Sequence, residues 1–205
     1  GAGKRFGSAR PKVFFPFAGR PLLVHTLKRL VTCYPFQRIV VAGDPRRLDQ
    51  MKKLLARHGL SVVQVVAGGR TRALSVLSAL KRAAQEGCQW VLVHDAARPF
   101  VTRDLVRRVL KAAGPTGAAI CAQAVKATVK RSDRQGRYVL GTEDRRYLYL
   151  AQTPQVFRTG LLLGRYRALG AKAAQATDDA SLFEGSAVQV RITPGLERNI
   201  KVTTR

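Results

Sequence analysis

The chain has 205 residues, and 37 Lys and Arg against 12 Asp and Glu leave a formal net charge of +25. With 46% hydrophobic residues it can build a core, which excludes disorder by composition, and no apolar run approaches the roughly 18 residues of a membrane span. Cys33, Cys88 and Cys121 are odd in number, widely spaced and set in apolar stretches, so a reducing cytoplasm is expected rather than a disulfide framework or a zinc site.

The chain opens on Gly1-Ala2-Gly3-Lys4-Arg5-Phe6-Gly7, then Pro11-Lys12, with no signal-peptide pattern visible. Glycines let backbone N–H groups approach phosphates, and Arg5 and Lys12 add cations beside them. Amphipathic stretches at 21–33, 45–59, 71–86 and 102–113 predict helices. They alternate with short β-branched or apolar runs at 37–43, 61–66, 90–94 and 117–125, which predict strands. This alternation predicts an α/β fold with a Rossmann-like, doubly wound, mostly parallel sheet. From 126 the rhythm changes, and 126–131 and 136–141 flank a polar turn, so 126–148 reads as a protruding β-hairpin arm. Helical patterns return at 160–169 and 178–183, and a strand at 187–192. No repeat or linker divides 1–205, so one domain with an arm is expected.

Three internal segments could carry chemistry. Gly68-Gly69-Arg70-Thr71-Arg72-Ala73-Leu74-Ser75 is a strand-to-helix turn, where a helix N-terminus attracts anions, though ordinary turns look the same. Val93-His94-Asp95-Ala96-Ala97-Arg98-Pro99 ends an apolar strand, where α/β sheets place ligands. Asp95 there could hold a divalent cation, or it could cap a turn and be neutralised by Arg98. His94 reads as a packed histidine, and Lys201, in Asn199-Ile200-Lys201-Val202-Thr203, as a surface cation or a phosphate ligand.

Together with Thr153-Pro154-Gln155, these segments resemble the 2-C-methyl-D-erythritol 4-phosphate cytidylyltransferase family of the non-mevalonate isoprenoid pathway, in the same order along the whole chain. Ribitol-5-phosphate cytidylyltransferases share most of the motifs. The resemblance implies a homodimer built with the arms and Mg²⁺-dependent transfer of CMP from CTP to methylerythritol phosphate. It implies that Gly1, Ala2 and Gly3 wrap the CTP, with Arg5, Lys12 and Lys201 as catalytic cations. Gly69, Ser75, Asp95 and Ala96 would bind CTP, and Asp95 the metal. Arg98 and Thr153 would line the acceptor side, and Thr128 and Arg145 on the arm would reach the sugar phosphate of the neighbouring subunit. Arg70, Thr71, Ala127 and Arg198 depart from the family's usual, more acidic pattern.

The charge points separately to polyanions. Its 26 Arg and 11 Lys are dispersed, without a basic block or an aromatic stacking surface, so nonspecific nucleic-acid binding is expected as a side property rather than the main role.

Overall fold

The computed structural model describes residues 12–203. Gly1, Ala2, Gly3 and Arg5 lie outside them. Lys12 begins a short 3₁₀ turn, Lys12–Phe14, ahead of a two-residue β-ribbon, β1 (Pro16–Phe17) and β2 (Arg20–Pro21). Helix α1 (Leu22–Cys33) buries Leu23, Val24, Leu27 and Leu30, one stripe at helical spacing. Strand β3 (Ile39–Gly43) pairs in parallel with β4 (Val63–Ala67), and α2 (Leu48–Arg57) connects them. Helix α3 (Arg72–Gln85) starts at Thr71, whose hydroxyl accepts from the Leu74 N–H at 3.2 Å. After β5 (Trp90–Val93), α4 (Arg103–Ala113) is capped in the same way by Thr102. These hydroxyls satisfy donors that the first turn of a helix otherwise leaves open.

Strands β6 (Ala118–Ala124), β9 (Tyr149–Arg158) and β10 (Arg191–Pro194) complete a four-stranded sheet in the order β10-β6-β9-β5. Side chains alternate along β6 and β9. Ala119 and Val156 face α4, with Leu105 and Val109. Ala118 and Phe157 face the other way, onto α3 and α5 (Thr159–Leu169) with Leu162 and Tyr166. Helices therefore cover both faces of this sheet, as a strand period of two requires when both faces are apolar.

Two features differ from the sequence expectation. First, the sheet is mixed. Strand β10 runs parallel to β6, but β9 is antiparallel to both β6 and β5. The strand at 149–158 is not among those the sequence predicts; its stretch Gln152, Thr153, Pro154 and Gln155 is polar and carries a proline. The register between β6 and β9 shifts at that place, and a bulge is where a sheet admits proline. Second, among the described residues β3 and β5 are not paired. A cavity of about 970 Å³ lies between them, lined by residues 38–42, 89–93 and the inner faces of α1 and α3. This leaves β3 and β5 half-buried rather than enclosed. Smaller shifts are local: 45–47 is a 3₁₀ turn ahead of α2, 180–183 is 3₁₀ rather than α, and the last strand lies at 191–194.

The arm is a hairpin of β7 (Val129–Ser132) and β8 (Val139–Glu143). Asp133 closes its turn by accepting from the Arg137 and Tyr138 N–H groups. Tyr138, Val139 and Leu140 are exposed on it, and Tyr147, Tyr149 and Leu150 near its base.

Candidate active site

Asp95 follows the C-terminal end of β5, and its main chain is fixed before its side chain is considered. Its N–H donates to Thr153 Oγ1 at 3.0 Å, and that hydroxyl also lies 3.1 Å from His94 Nδ1. His94 Nε2 lies 3.0 Å from the Arg98 carbonyl oxygen. Burial lowers the His94 pKa to about 4, so the ring is neutral and serves to shape the loop. The loop is closed again from α1, where Thr26 Oγ1 donates to the Ala96 carbonyl at 2.9 Å.

Three cations converge on the Asp95 carboxylate. Lys201 Nζ is 2.9 Å and Arg98 Nε 3.3 Å from Oδ2, and Arg72 Nε is 3.5 Å from Oδ1. Burial acts to raise this carboxyl, but Lys201, Arg72 and Arg98 outweigh it and hold the pKa at about 2. Arg98 is only 8% exposed, and its Nη1 donates to the Asn199 carbonyl at 2.7 Å. It ties the Asp95 loop to the 199–203 segment and so brings Lys201 into place. Asn199 itself is buried and donates to Gln152 Oε1 and the Thr153 carbonyl on β9.

A second carboxylate stands behind Arg72. Asp179 is fully buried, with Oδ2 2.8 Å from Arg72 Nη2 and Oδ1 3.0 Å from the Tyr166 hydroxyl. Burial pushes the Asp179 carboxyl up against the pull of Arg72. Gln155 Oε1 accepts from the Asp179 N–H at 3.1 Å, so β9 anchors Asp179 as well as Asp95. Three cations against two carboxylates leave this cluster net positive. It borders a cavity of about 710 Å³ whose lining includes Arg72, Asp95, Arg98, Gln155, Asp178 and Lys201.

The structure thus brings Asp95, Arg98, Thr153 and Lys201 together, from three separate parts of the chain. Gly69 and Ser75 meet at the β4–α3 turn, where Ser75 Oγ accepts from the Gly69 N–H at 3.1 Å and donates to the Thr71 carbonyl at 2.9 Å. A Cβ on Gly69 would sit 2.4 Å from Leu74 Cβ, so this close turn requires glycine. Thr128 and Arg145 are exposed on and below the arm, and Arg145 Nη1 donates to the Lys126 carbonyl. Among the described residues, neither is bonded to the Asp95 cluster within the same chain. Arg72, Asp179 and Gln155 are the members that sequence reasoning missed. Arg72 stands in the quoted G-G-x-x-R-x-x-S motif, which was a usable signal for it. Gln155 likewise stands in the quoted Thr153-Pro154-Gln155 motif, whereas Asp179 had no signal, being a polar residue remote in sequence from Arg72.

Among the described residues, no group of three or more His, Cys, Asp or Glu side chains could hold a metal by itself. One carboxylate is nevertheless a sufficient protein share when a nucleotide's phosphates supply the other oxygens. Asp95 Oδ1 fits that share, because its one ion-pair contact is long.

The sequence profile of the 2-C-methyl-D-erythritol 4-phosphate cytidylyltransferase family matches residues 1–205. A 2-C-methyl-D-erythritol 4-phosphate cytidylyltransferase of Bacillus licheniformis is 38% identical over 205 residues, spanning 100% of this chain and 87% of the relative. One from Bacillus cereus is 40% identical, spanning 100% and 89%. The crystal structure of 4-diphosphocytidyl-2C-methyl-D-erythritol synthase from Anaerococcus prevotii superposes with a TM-score of 0.82 at 32% identity, covering 94% of this chain and 88% of that one. A Thermus thermophilus 2-C-methyl-D-erythritol 4-phosphate cytidylyltransferase structure does so with a TM-score of 0.76 at 33% identity, covering 94% and 87%.

Proposed function

This chain belongs to the 2-C-methyl-D-erythritol 4-phosphate cytidylyltransferase family, and on that premise we propose that the Asp95 cluster is where its reaction takes place. The activity is transfer of a cytidylyl group from CTP to 2-C-methyl-D-erythritol 4-phosphate. A phosphate oxygen of the acceptor bonds to the α-phosphorus, and the bond from that phosphorus to the departing pyrophosphate breaks.

The observation that carries the placement is the convergence of Lys201, Arg98 and Arg72 on one carboxylate beside an open cavity. The acceptor is a phosphate monoester, already largely anionic at neutral pH, so the reaction needs no general base. The neutral, fully bonded His94 agrees with that. The barrier lies in bringing two anions together and stabilising charge on the α-phosphate and the leaving group. Fixed cations in a net-positive cluster lower it by positioning and electrostatic preorganisation. Lys201 is the cluster's most accessible cation, at 38% side-chain exposure, and is suited to a phosphate. Asp95 would hold a Mg²⁺ ion, which, when bound, neutralises charge on the triphosphate.

In this reading Gly1, Ala2 and Gly3 wrap the CTP, and Arg5 and Lys12 pair with its phosphates. Gly69, Ser75 and Ala96 border the nucleoside, and Thr153 and Arg98 hold the loop that presents Asp95. Thr128 and Arg145 serve the active site of a second subunit in a homodimer, and the exposed Tyr138, Val139 and Leu140 supply the arm's share of that interface. The sheet with helices on both faces is read as a Rossmann-like, doubly wound fold forming one domain, with β9 as its antiparallel member. No helix among the described residues is long and apolar enough to cross a membrane. We read the enzyme as cytoplasmic, with its dispersed positive charge giving salt-sensitive, nonspecific nucleic-acid binding. The test is pyrophosphate release from CTP and methylerythritol phosphate with and without a chelator. The placement of the metal is refuted if Asp95→Asn leaves the divalent-cation dependence unchanged.

A further inference from the structure

Arg72 bridges two carboxylates unequally. Its Nη2 is 2.8 Å from the fully buried Asp179, whereas its Nε is 3.5 Å from Asp95 Oδ1. A guanidinium beside a single carboxylate normally closes to a bidentate pair at about 2.7–2.9 Å. Here that closure does not occur, although Arg72 Nη1 is buried without a hydrogen-bond partner; Asp179 Oδ2 is likewise buried without one, so it holds Nη2 as a close ion pair. Asp179 takes the arm that would complete the fork. It is itself held rigidly, by Gln155 Oε1 at its N–H and by the Tyr166 hydroxyl at Oδ1. Burying a carboxylate costs several kcal/mol unless it is well paired, and an anchor for the 178–183 turn could be built from neutral groups.

We propose that Asp179 is a positioning residue that holds Arg72 off Asp95, so that Asp95 Oδ1 remains available to the divalent cation that accompanies the nucleotide. This rests on the reading of Asp95 as the metal carboxylate. Without the Asp179 charge, Arg72 swings fully onto Asp95 and competes with the cation for the same oxygen. Asp179 therefore acts on metal affinity through Arg72 and touches neither substrate nor metal.

The experiment measures Mn²⁺ binding to the protein–CTP complex without acceptor, by electron paramagnetic resonance, alongside the Mg²⁺ concentration for half-maximal turnover. Asp179→Asn is expected to weaken both by about tenfold. Adding Arg72→Gln to Asp179→Asn is expected to recover most of that loss, because the competitor is gone. Tyr166→Phe keeps the carboxylate, removes its hydroxyl partner, and is expected to shift both constants in the same direction by about threefold. It carries the test if Asp179→Asn does not fold. Unchanged Mn²⁺ affinity in the folded Asp179→Asn or Tyr166→Phe protein overturns the proposal, as does a double variant weaker than Asp179→Asn alone. If Asp95→Asn also leaves Mn²⁺ binding intact, the metal reading of Asp95 fails first. If Asp95→Asn abolishes it and Asp179→Asn does not weaken it, only the present inference fails.

Discussion

Asp95→Asn separates a counterion from a catalytic ligand. The substitution keeps the shape of the side chain and leaves the Asp95 N–H bond to Thr153 untouched, because that bond is made by the main chain. It removes the charge shared by Lys201, Arg98 and Arg72 at 2.9, 3.3 and 3.5 Å. Removing one partner of a buried ion pair costs about 3–5 kcal/mol. Two facts place this case at the low end: Lys201 is 38% exposed and returns to water, and Arg72 keeps Asp179. A loss of about 3 kcal/mol corresponds to a melting temperature lower by roughly 6–12 °C for a chain of this size. Turnover measured well below that melting point is expected to fall on the order of 10²–10³-fold. A mere counterion predicts the opposite for the nucleotide, since losing an anion makes the cluster more positive and CTP binding tighter. The assays are thermal melting by circular dichroism and pyrophosphate release at saturating CTP. A folded variant with near-parental turnover and a lower KM for CTP would refute the assignment.

Other consequences are simpler to read. Thr102→Ala removes the cap on α4 and should cost about 1 kcal/mol, lowering the melting temperature by roughly 2–4 °C with kinetics unchanged. Cys121 is buried, donates to the Pro154 carbonyl, and has its thiol pushed up to about 12 by burial. It should resist iodoacetamide at pH 8 in the native protein and react after unfolding, which mass spectrometry of labelled peptides reads directly. Leu140→Asp on the exposed arm should halve the mass seen by light scattering if the arm joins two subunits, while the melting of the body stays the same.

What the sequence made legible was local. The apolar stripes of α1 and α4, the threonines that open α3 and α4, and the apolar run ending at Asp95 are all written in neighbouring residues. The glycine turn before Ser75 was equally visible, whereas the close contact that excludes a side chain at Gly69 appears only in the structure. Strand β9 was not, because a strand in the interior of a sheet was expected to be apolar. Instead Gln152, Thr153 and Gln155 are buried with their polar atoms engaged by Asn199, Leu196, Asp95, Asp178 and Asp179. A polar residue whose partners come from far along the chain looks, in one dimension, like surface. Asp179 fails to announce itself for the same reason, since its ion pair with Arg72 exists only after α3, β9 and the 178–183 turn have packed. The charge of +25 is a further case. The site absorbs a few cations, each matched to a carboxylate or suited to a phosphate, and most of the others among the described residues lie at the surface.

Cytidylyl transfer to one particular sugar phosphate is tested most directly by supplying CTP and Mg²⁺ with methylerythritol phosphate or ribitol 5-phosphate side by side. Phosphorus NMR identifies the diphosphate product and the pyrophosphate. Rapid formation of 4-diphosphocytidyl-2-C-methylerythritol and little product from ribitol 5-phosphate are expected. Preference for ribitol 5-phosphate, or no pyrophosphate from either acceptor with the folded protein, would contradict it.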